Sequence, residues 1–201
     1  IATGTASGKS RCFQIPIAEA VADPITPGTA LLLYPTKALA HDQLRSLATL
    51  DFPRLVAGAY DGDATPEEKA WIRNKANVIL TNPEMLHGGL LPRHEKWDTF
   101  LTRLRVVVID ELHVLRGVFG THVSHILRRL RRICRHYGSD PVFVFTSATI
   151  GQPERLASAL CAAPVTAITD DGSPTGPRRF ALLDPPVIDE ETGVRASANS
   201  E

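Results

Sequence analysis

The sequence predicts an α/β domain in which a parallel sheet is flanked by helices. Two observations carry this. Five short, nearly all-apolar runs alternate with longer amphipathic ones, and the chain opens on a glycine-rich loop, "TGTASGKS", that runs straight into a helical pattern. Strands buried on both faces read as continuous apolar runs rather than alternating ones. Their alternation with helices is the pattern of a parallel sheet with helical crossovers. In open sheets of this type ligands bind at the carboxyl ends of the strands. The residues just after each apolar run are therefore the ones to read for chemistry.

Taken in order, the glycine-rich loop leads into a helix over about 9–22. "TALLLYP" (29–35) is the first complete strand, followed by a helix over 36–49 that opens on "PTKALAHDQL". "RLVAGAY" (54–60) and "NVILTN" (77–82) are strands, with helices over 66–75 and 83–91 after them. "LRVVVIDE" (104–111) and "PVFVFTSAT" (141–149) complete the set, followed by helices over 112–137 and 153–162. Before the loop only Ile1–Thr3 remain to form the strand that feeds it, so the first strand is expected to be truncated. From residue 169 onward proline and glycine break every pattern, and only "FALL" (180–183) reads as a strand. The expected division is thus a domain over 1–168 and a linker, or the start of a further domain, over 169–201.

With 201 residues, 43% of them hydrophobic, the chain can fill one core. Lys and Arg number 22 and so do Asp and Glu, so any nucleic-acid surface must be a local patch. Three distant cysteines (Cys12, Cys134, Cys161) form no metal or disulfide pattern. With no signal peptide and no apolar run of membrane length, a reducing cytoplasmic setting is expected. The chain begins without methionine at a strand end, and a fragment is expected.

The loop is built for a phosphate. Backbone N–H groups of Thr5, Ala6, Ser7 and Gly8 can wrap a polyphosphate at a helix N-terminus. Lys9 would reach the β- and γ-phosphates and the Ser10 hydroxyl would ligate magnesium. The common pattern asks for glycine where this chain has Thr3, with Gly4 one place on. The bland alternative is a Gly/Ser turn before an ordinary helix. "VVVIDELH" argues against it, because a buried strand runs directly into Asp110-Glu111, and two carboxylates there are costly unless a cation or a water needs them. A helix cap would account for one acid and not for the pair. Asp110 would hold magnesium through water, and Glu111 would polarise the water that attacks the γ-phosphate.

"ATGTASGKS", "YPTKALAHDQL", "TNPEMLH", "DELH" and "SAT" follow one another as do the motifs of superfamily 2 DExH-box helicases, and the chain resembles that family over about residues 2–149. "TASGKS", "YDGD" (60–63) and "DELHVLRGVFGTHV" resemble more specifically the bacterial mitomycin-repair helicases, DNA-repair enzymes related to the RecQ-like group. The resemblance implies a RecA-like P-loop NTPase fold with ATP and magnesium as cofactors. It implies that His113 links the nucleotide site to Ser147 and Thr149, which couple hydrolysis to strand movement. It also implies that Thr36, Lys37, Thr81 and Pro83 touch the backbone of one nucleic-acid strand, single-stranded DNA or RNA. Two helix N-termini side by side give that track a physical basis, the alternative for Thr36 and Thr81 being simple helix caps.

The resemblance further implies a second RecA-like domain of the same protein, which supplies an arginine for the transition state. An arginine of that kind is worth roughly 10³–10⁵ in rate, so the isolated chain is expected to be weakly active or inactive. A translocase that does not unwind, and a RecA-like nucleotide- or DNA-binding module without turnover, are the alternatives. A kinase or GTPase is the last alternative, disfavoured by the lack of an Asn-Lys-x-Asp run and by Ser-Ala-Thr after an apolar strand, which has no evident role there. Arg128, Arg129, Arg131 and Arg132 are expected to be distributed around their helix as a solvated surface. His87, His122, His125 and His136 are read as ordinary, and Trp71 and Trp97 as packing residues.

Overall fold

A computed structural model describes residues 1–4, 8–50, 52–170, 172, 186–189, 192 and 194–195. The chain divides into two compact units, Ile1–Asp171 and Gly172–Glu201. In the first, five strands form one sheet: β1 Thr29–Leu33, β2 Ala57–Ala59, β3 Val78–Thr81, β4 Leu104–Ile109 and β5 Val142–Phe145. Their order is β2-β3-β1-β4-β5 and every pairing is parallel. The expected strand remnant is present as a parallel bridge between Ala2 and Ser147, two residues beyond the end of β5. It is held by Ser147 N–H to Ile1 O (3.0 Å) and by Ala2 N–H to Ile168 O (3.0 Å). The segment before the glycine-rich loop therefore lies beside β5, and β5 separates it from β4.

Alternate residues of each strand feed two cores, which is why the runs are apolar throughout. Ala30, Leu32, Tyr34, Val78, Leu80, Val106 and Val108 pack against α1 (Lys9–Ala22) and α2 (Lys37–Ala48) through Phe13, Ile17, Val21, Ala40 and Leu47. Leu31, Leu33, Ile79, Val107 and Ile109 point the other way. They meet α3 (Pro66–Lys75), α5 (Asp98–Thr102), α6 (Gly117–His136) and α7 (Pro153–Cys161). Burying one such Leu or Ile is worth about 1.5–3 kcal/mol over leaving it exposed. The caps follow the sequence. Thr65 and Glu68 form a reciprocal capping box with Pro66 at the first turn of α3, and Asn82 Oδ1 accepts from Met85 N–H at the start of α4 (Pro83–Met85).

Two expected helices are revised. The one over 83–91 stops as an α-helix at Met85, continues as a π-turn Leu86–Leu90 and a 3₁₀ stretch Leu91–Trp97, and is followed by α5, which the sequence pattern did not suggest. Gly88, Gly89 and Pro92 supply the reason, since glycine weakens and proline breaks the α-helical ladder. The helix over 112–137 begins instead as a 3₁₀ turn, Leu112–Val114, and α6 starts only at Gly117. Glu111 at φ +57° and Gly117 at φ +57° turn the chain between them. A Cβ on Gly120 would sit 2.4 Å from Leu115 O, so that glycine lets α6 close against the turn.

Trp97 is buried edge-on to Tyr60 and Phe100, whereas Trp71 stays half exposed. Cys134 and Cys161 are buried core thiols, and burial pushes Cys134 up to about 11. No helix of the described residues is long and apolar enough to cross a membrane. In the second unit Val187–Asp189 pairs antiparallel with Val194–Arg195, two strands the sequence pattern did not suggest. The candidate strand 180–183 lies outside the described residues.

Candidate active site

Thr5, Ala6 and Ser7 lie outside the described residues. Gly8, the residue before α1, is left-handed at φ +80°, with open space where a Cβ would stand. Its glycine therefore serves the backbone turn and not a close contact. The first turn of α1 has no acidic residue and no side-chain cap, which suits an anion at the positive end of the helix. Lys9 Nζ donates to the carbonyls of Gly4 (2.5 Å) and Thr3 (3.1 Å). Among the described residues no carboxylate pairs with that ammonium. Ser10 is half-buried one residue on.

Asp110 and Glu111 stand immediately past β4. The Asp110 N–H donates to Leu33 O at 3.0 Å, which fixes it against the end of β1. Asp110 Oδ1 accepts from Thr146 Oγ1 (2.5 Å) and from the Glu111 N–H (2.9 Å). Thr146 is fully buried and sits just past β5. It was not among the expected site residues, and only its place before "SAT" hinted at it. The Leu112 N–H closes the same junction by donating to Thr146 O at 2.9 Å. The ends of β4 and β5 are thus tied together by main chain and side chain alike.

Glu111 is a non-glycine residue in the left-handed region (φ +57°, ψ +45°). Such backbone costs about 1–3 kcal/mol and persists only where its surroundings enforce it. The turn carries the Glu111 carboxylate to His113, with Oε2 3.1 Å from Nδ1, and the same Nδ1 lies 3.5 Å from Ser147 Oγ. Glu111, His113 and Ser147 form one chain of polar contacts, while Thr149 lies two residues beyond, exposed. On the opposite face of the sheet Tyr34 is buried, and among the described residues its hydroxyl has no hydrogen-bond partner. Burial first, and the nearby Asp110 carboxylate second, push that phenol well above its usual range, so it stays neutral.

The other expected residues sit along the carboxyl ends of β1 and β3, which are neighbours in register. Thr36 caps α2 by accepting from Leu39 N–H at 3.4 Å. Lys37 pairs with Asp63 of the "YDGD" segment at 2.7 Å, a bond that raises its pKa. Thr81 is buried and donates to Tyr60 O at 2.6 Å, so Asn82 and not Thr81 caps the following turn, with Pro83 buried beside it.

A sheet with a phosphate-type loop at one edge and paired acids two strands away has relatives. The DEAD/DEAH box helicase pattern matches residues 1–156. The chain is 43% identical over 202 residues to the uncharacterized ATP-dependent helicase YprA of Bacillus subtilis (strain 168), covering 99% of this chain and 27% of that protein. It is 39% identical over 212 residues to the ATP-dependent helicase HRQ1 of Saccharomyces cerevisiae, covering 98% of this chain and 20% of that one. Among solved structures, the DUF1998 helicase MrfA bound to DNA and AMPPNP matches with a TM-score of 0.90 at 43% identity, over 98% of this chain and 27% of that chain. The chain thus spans about a quarter of the length of these relatives.

Proposed function

The chain belongs to the DEAD/DEAH box helicase family, and from that premise we propose that it is the ATP-hydrolysing motor unit of a DNA helicase acting in DNA repair. The RecA-like domain is residues 1–168, with 169–201 leading on toward a second RecA-like domain of the same protein. The observation that carries the proposal is the meeting of Asp110, Glu111, His113, Thr146 and Ser147 at the ends of two adjacent strands, beside the segment that enters the Gly8 turn. The free thiols of Cys12, Cys134 and Cys161 fit a reducing cytoplasm.

The residues present fit a nucleoside triphosphate with magnesium. The backbone N–H groups of Thr5–Gly8 and of the first turn of α1 would be offered to the phosphates. Lys9 would exchange the Thr3 and Gly4 carbonyls for β- and γ-phosphate oxygens. Ser10 and Asp110 would hold the metal, both hard oxygen ligands. Among the described residues no group of three or more His, Cys, Asp and Glu is gathered to hold a metal. When bound, magnesium neutralises charge on the transferring phosphoryl group. Among the described residues Asp110 takes its hydrogen bonds on Oδ1, so Oδ2 would be the oxygen available toward the metal. Glu111 takes the proton of the attacking water, oriented by His113. His113 passes the state of the site to Ser147 and, through it, to Thr149. Thr36 and Lys37 after β1, with Thr81 and Pro83 after β3, form a track for backbone phosphates of single-stranded DNA. Thr81 acts there by fixing the turn through Tyr60.

ATP turnover of the full-length protein, measured with and without single-stranded DNA, tests this reading. DNA is expected to stimulate turnover strongly. Nucleotide binding without any turnover would leave a binding module only, and equal stimulation by RNA would remove the DNA preference.

Thr146→Val tests the positioning of Asp110. Loss of a hydrogen bond to a charged group costs about 1.5–3 kcal/mol, seen as a lower urea midpoint. The half-saturating magnesium concentration for turnover is expected to rise by about ten- to a hundredfold, that energy read as affinity, with Thr146→Ser restoring it. An unchanged magnesium dependence would reduce Thr146 to a packing residue.

A further inference from the structure

Helix α6 carries a basic face that the nucleotide chemistry does not use. His122, His125, Arg129 and Arg132 recur at intervals of three, four and three residues, the spacing that stacks side chains in one column of a helix. Arg128 stands beside this column. The π-turn Leu86–Leu90 brings His87 against it, with His87 Nδ1 3.5 Å from an Arg129 guanidinium nitrogen. These six residues and Ile126 line a concavity of about 400 Å³. The expected scatter of arginines around the helix is thus corrected. Of those four arginines, Arg131 turns elsewhere, donating to Cys161 O and Ala162 O at 2.8 Å to close the end of α7.

The charge on this face is uncompensated. Among the described residues no carboxylate pairs with Arg128, Arg129 or Arg132, and Glu84 meets only His122, at 3.4 Å. In a chain of balanced charge, three guanidiniums and three imidazoles on one concave face are a local concentration. From His122 to His125, Arg129 and Arg132 the column runs about 15 Å along the helix, with a donor at nearly every turn of about 5.4 Å. A single small anion would fill one turn of it. A nucleic-acid strand carries a phosphate about every 3.4 Å along its axis, and guanidinium forks match phosphate oxygens two at a time. The concavity also adjoins the phosphate track, because His87 lies two residues past the Pro83–Met85 helix that follows β3.

We infer that this face of α6 is a second, sequence-independent seat for the phosphodiester backbone of a nucleic-acid strand, continuing the track off the end of the sheet. The identity of the ligand rests on the helicase reading; the existence of an anion site does not.

The test uses the full-length protein and a fluorescein-labelled oligothymidylate, with binding followed by anisotropy across a salt series. The variants are the triple Arg128→Gln/Arg129→Gln/Arg132→Gln and the double Arg128→Gln/Arg132→Gln, which touches only exposed side chains. Arg73→Gln/Lys75→Gln/Arg103→Gln removes the same charge at the amino ends of the strands as a control. Removing three phosphate contacts is expected to reduce the slope of log affinity against log salt by about 2. Affinity at moderate salt is expected to fall at least tenfold in the triple and by less in the double. The control should stay within twofold of the wild type, and turnover without DNA should not change in any variant. Unchanged slope and affinity in a protein that binds DNA would overturn the inference while leaving the helicase reading intact. A wild-type protein that binds no DNA would sink that reading and this ligand with it. If the triple loses inorganic phosphate, titrated calorimetrically, yet keeps its DNA affinity, the concavity takes a free anion and the inference fails.

Discussion

Replacing Glu111 by glutamine is expected to stop ATP turnover in the full-length protein while leaving nucleotide binding nearly intact. Glutamine keeps the length and shape of the side chain and tolerates the left-handed backbone at φ +57° about as glutamate does. What it loses is the negative charge that faces His113 at 3.1 Å and the ability to take a proton. General-base catalysis contributes about 10²–10⁴ in rate, so phosphate release should fall by at least that range. The affinity for a non-hydrolysable nucleotide should change by no more than a few-fold, since neither Lys9 nor Asp110 depends on the Glu111 side chain for its position. Asp110 is held instead by Thr146, Leu33 O and the main-chain N–H of Glu111. Turnover within a few-fold of wild type would remove Glu111 from the chemistry.

Lys9→Ala is expected to damage both steps. Lys9 Nζ donates to the Gly4 and Thr3 carbonyls, and it would be the group to meet the developing charge on the γ-phosphate. Loss of one preorganised donor to a transition-state oxyanion costs about 10²–10³ in rate. Loss of its ground-state contact should weaken nucleotide binding by about tenfold or more, or 1.4 kcal/mol. Nucleotide affinity by fluorescence titration, beside single-turnover hydrolysis, separates the two contributions. A Lys9→Ala protein that binds and hydrolyses ATP normally would show that the loop holds something other than a triphosphate. Read together, the two variants discriminate between roles: one spares binding and the other does not.

How much of this was legible in the sequence depends on whether the signal was local. "VVVIDE" and "TALLLY" read as doubly buried strands because burial on both faces removes the alternation that a half-exposed strand must have. The ends of α1 and α3 fell where expected because Pro66, Thr65 and Glu68 cap locally and the loop enters α1 at Gly8. The stretch 86–97 was harder, since Gly88, Gly89 and Pro92 weaken the α-helix without saying whether a π-turn or a 3₁₀ turn replaces it. Thr81 and Asn82 show the same limit at the level of single residues. Both types can cap a helix, and only burial of Thr81 against Tyr60 decides that Asn82 does so.

By itself the sequence determined the sheet, the order of its elements along the chain, and the positions of Lys9, Ser10, Asp110 and Glu111 at element ends. These are consequences of periodicity, capping and the cost of buried charge, all of which act between near neighbours. Only the tertiary structure decided that β5 lies beside β4, and therefore that Thr146 holds Asp110 across 36 positions and Ser147 reaches His113 across 34. It likewise decided that His87 faces the arginines of α6, across 42 positions from Arg129. Strand order and helix docking are set by which surfaces bury one another. No local pattern encodes that choice, because every parallel strand offers the same backbone hydrogen-bonding edge to either neighbour.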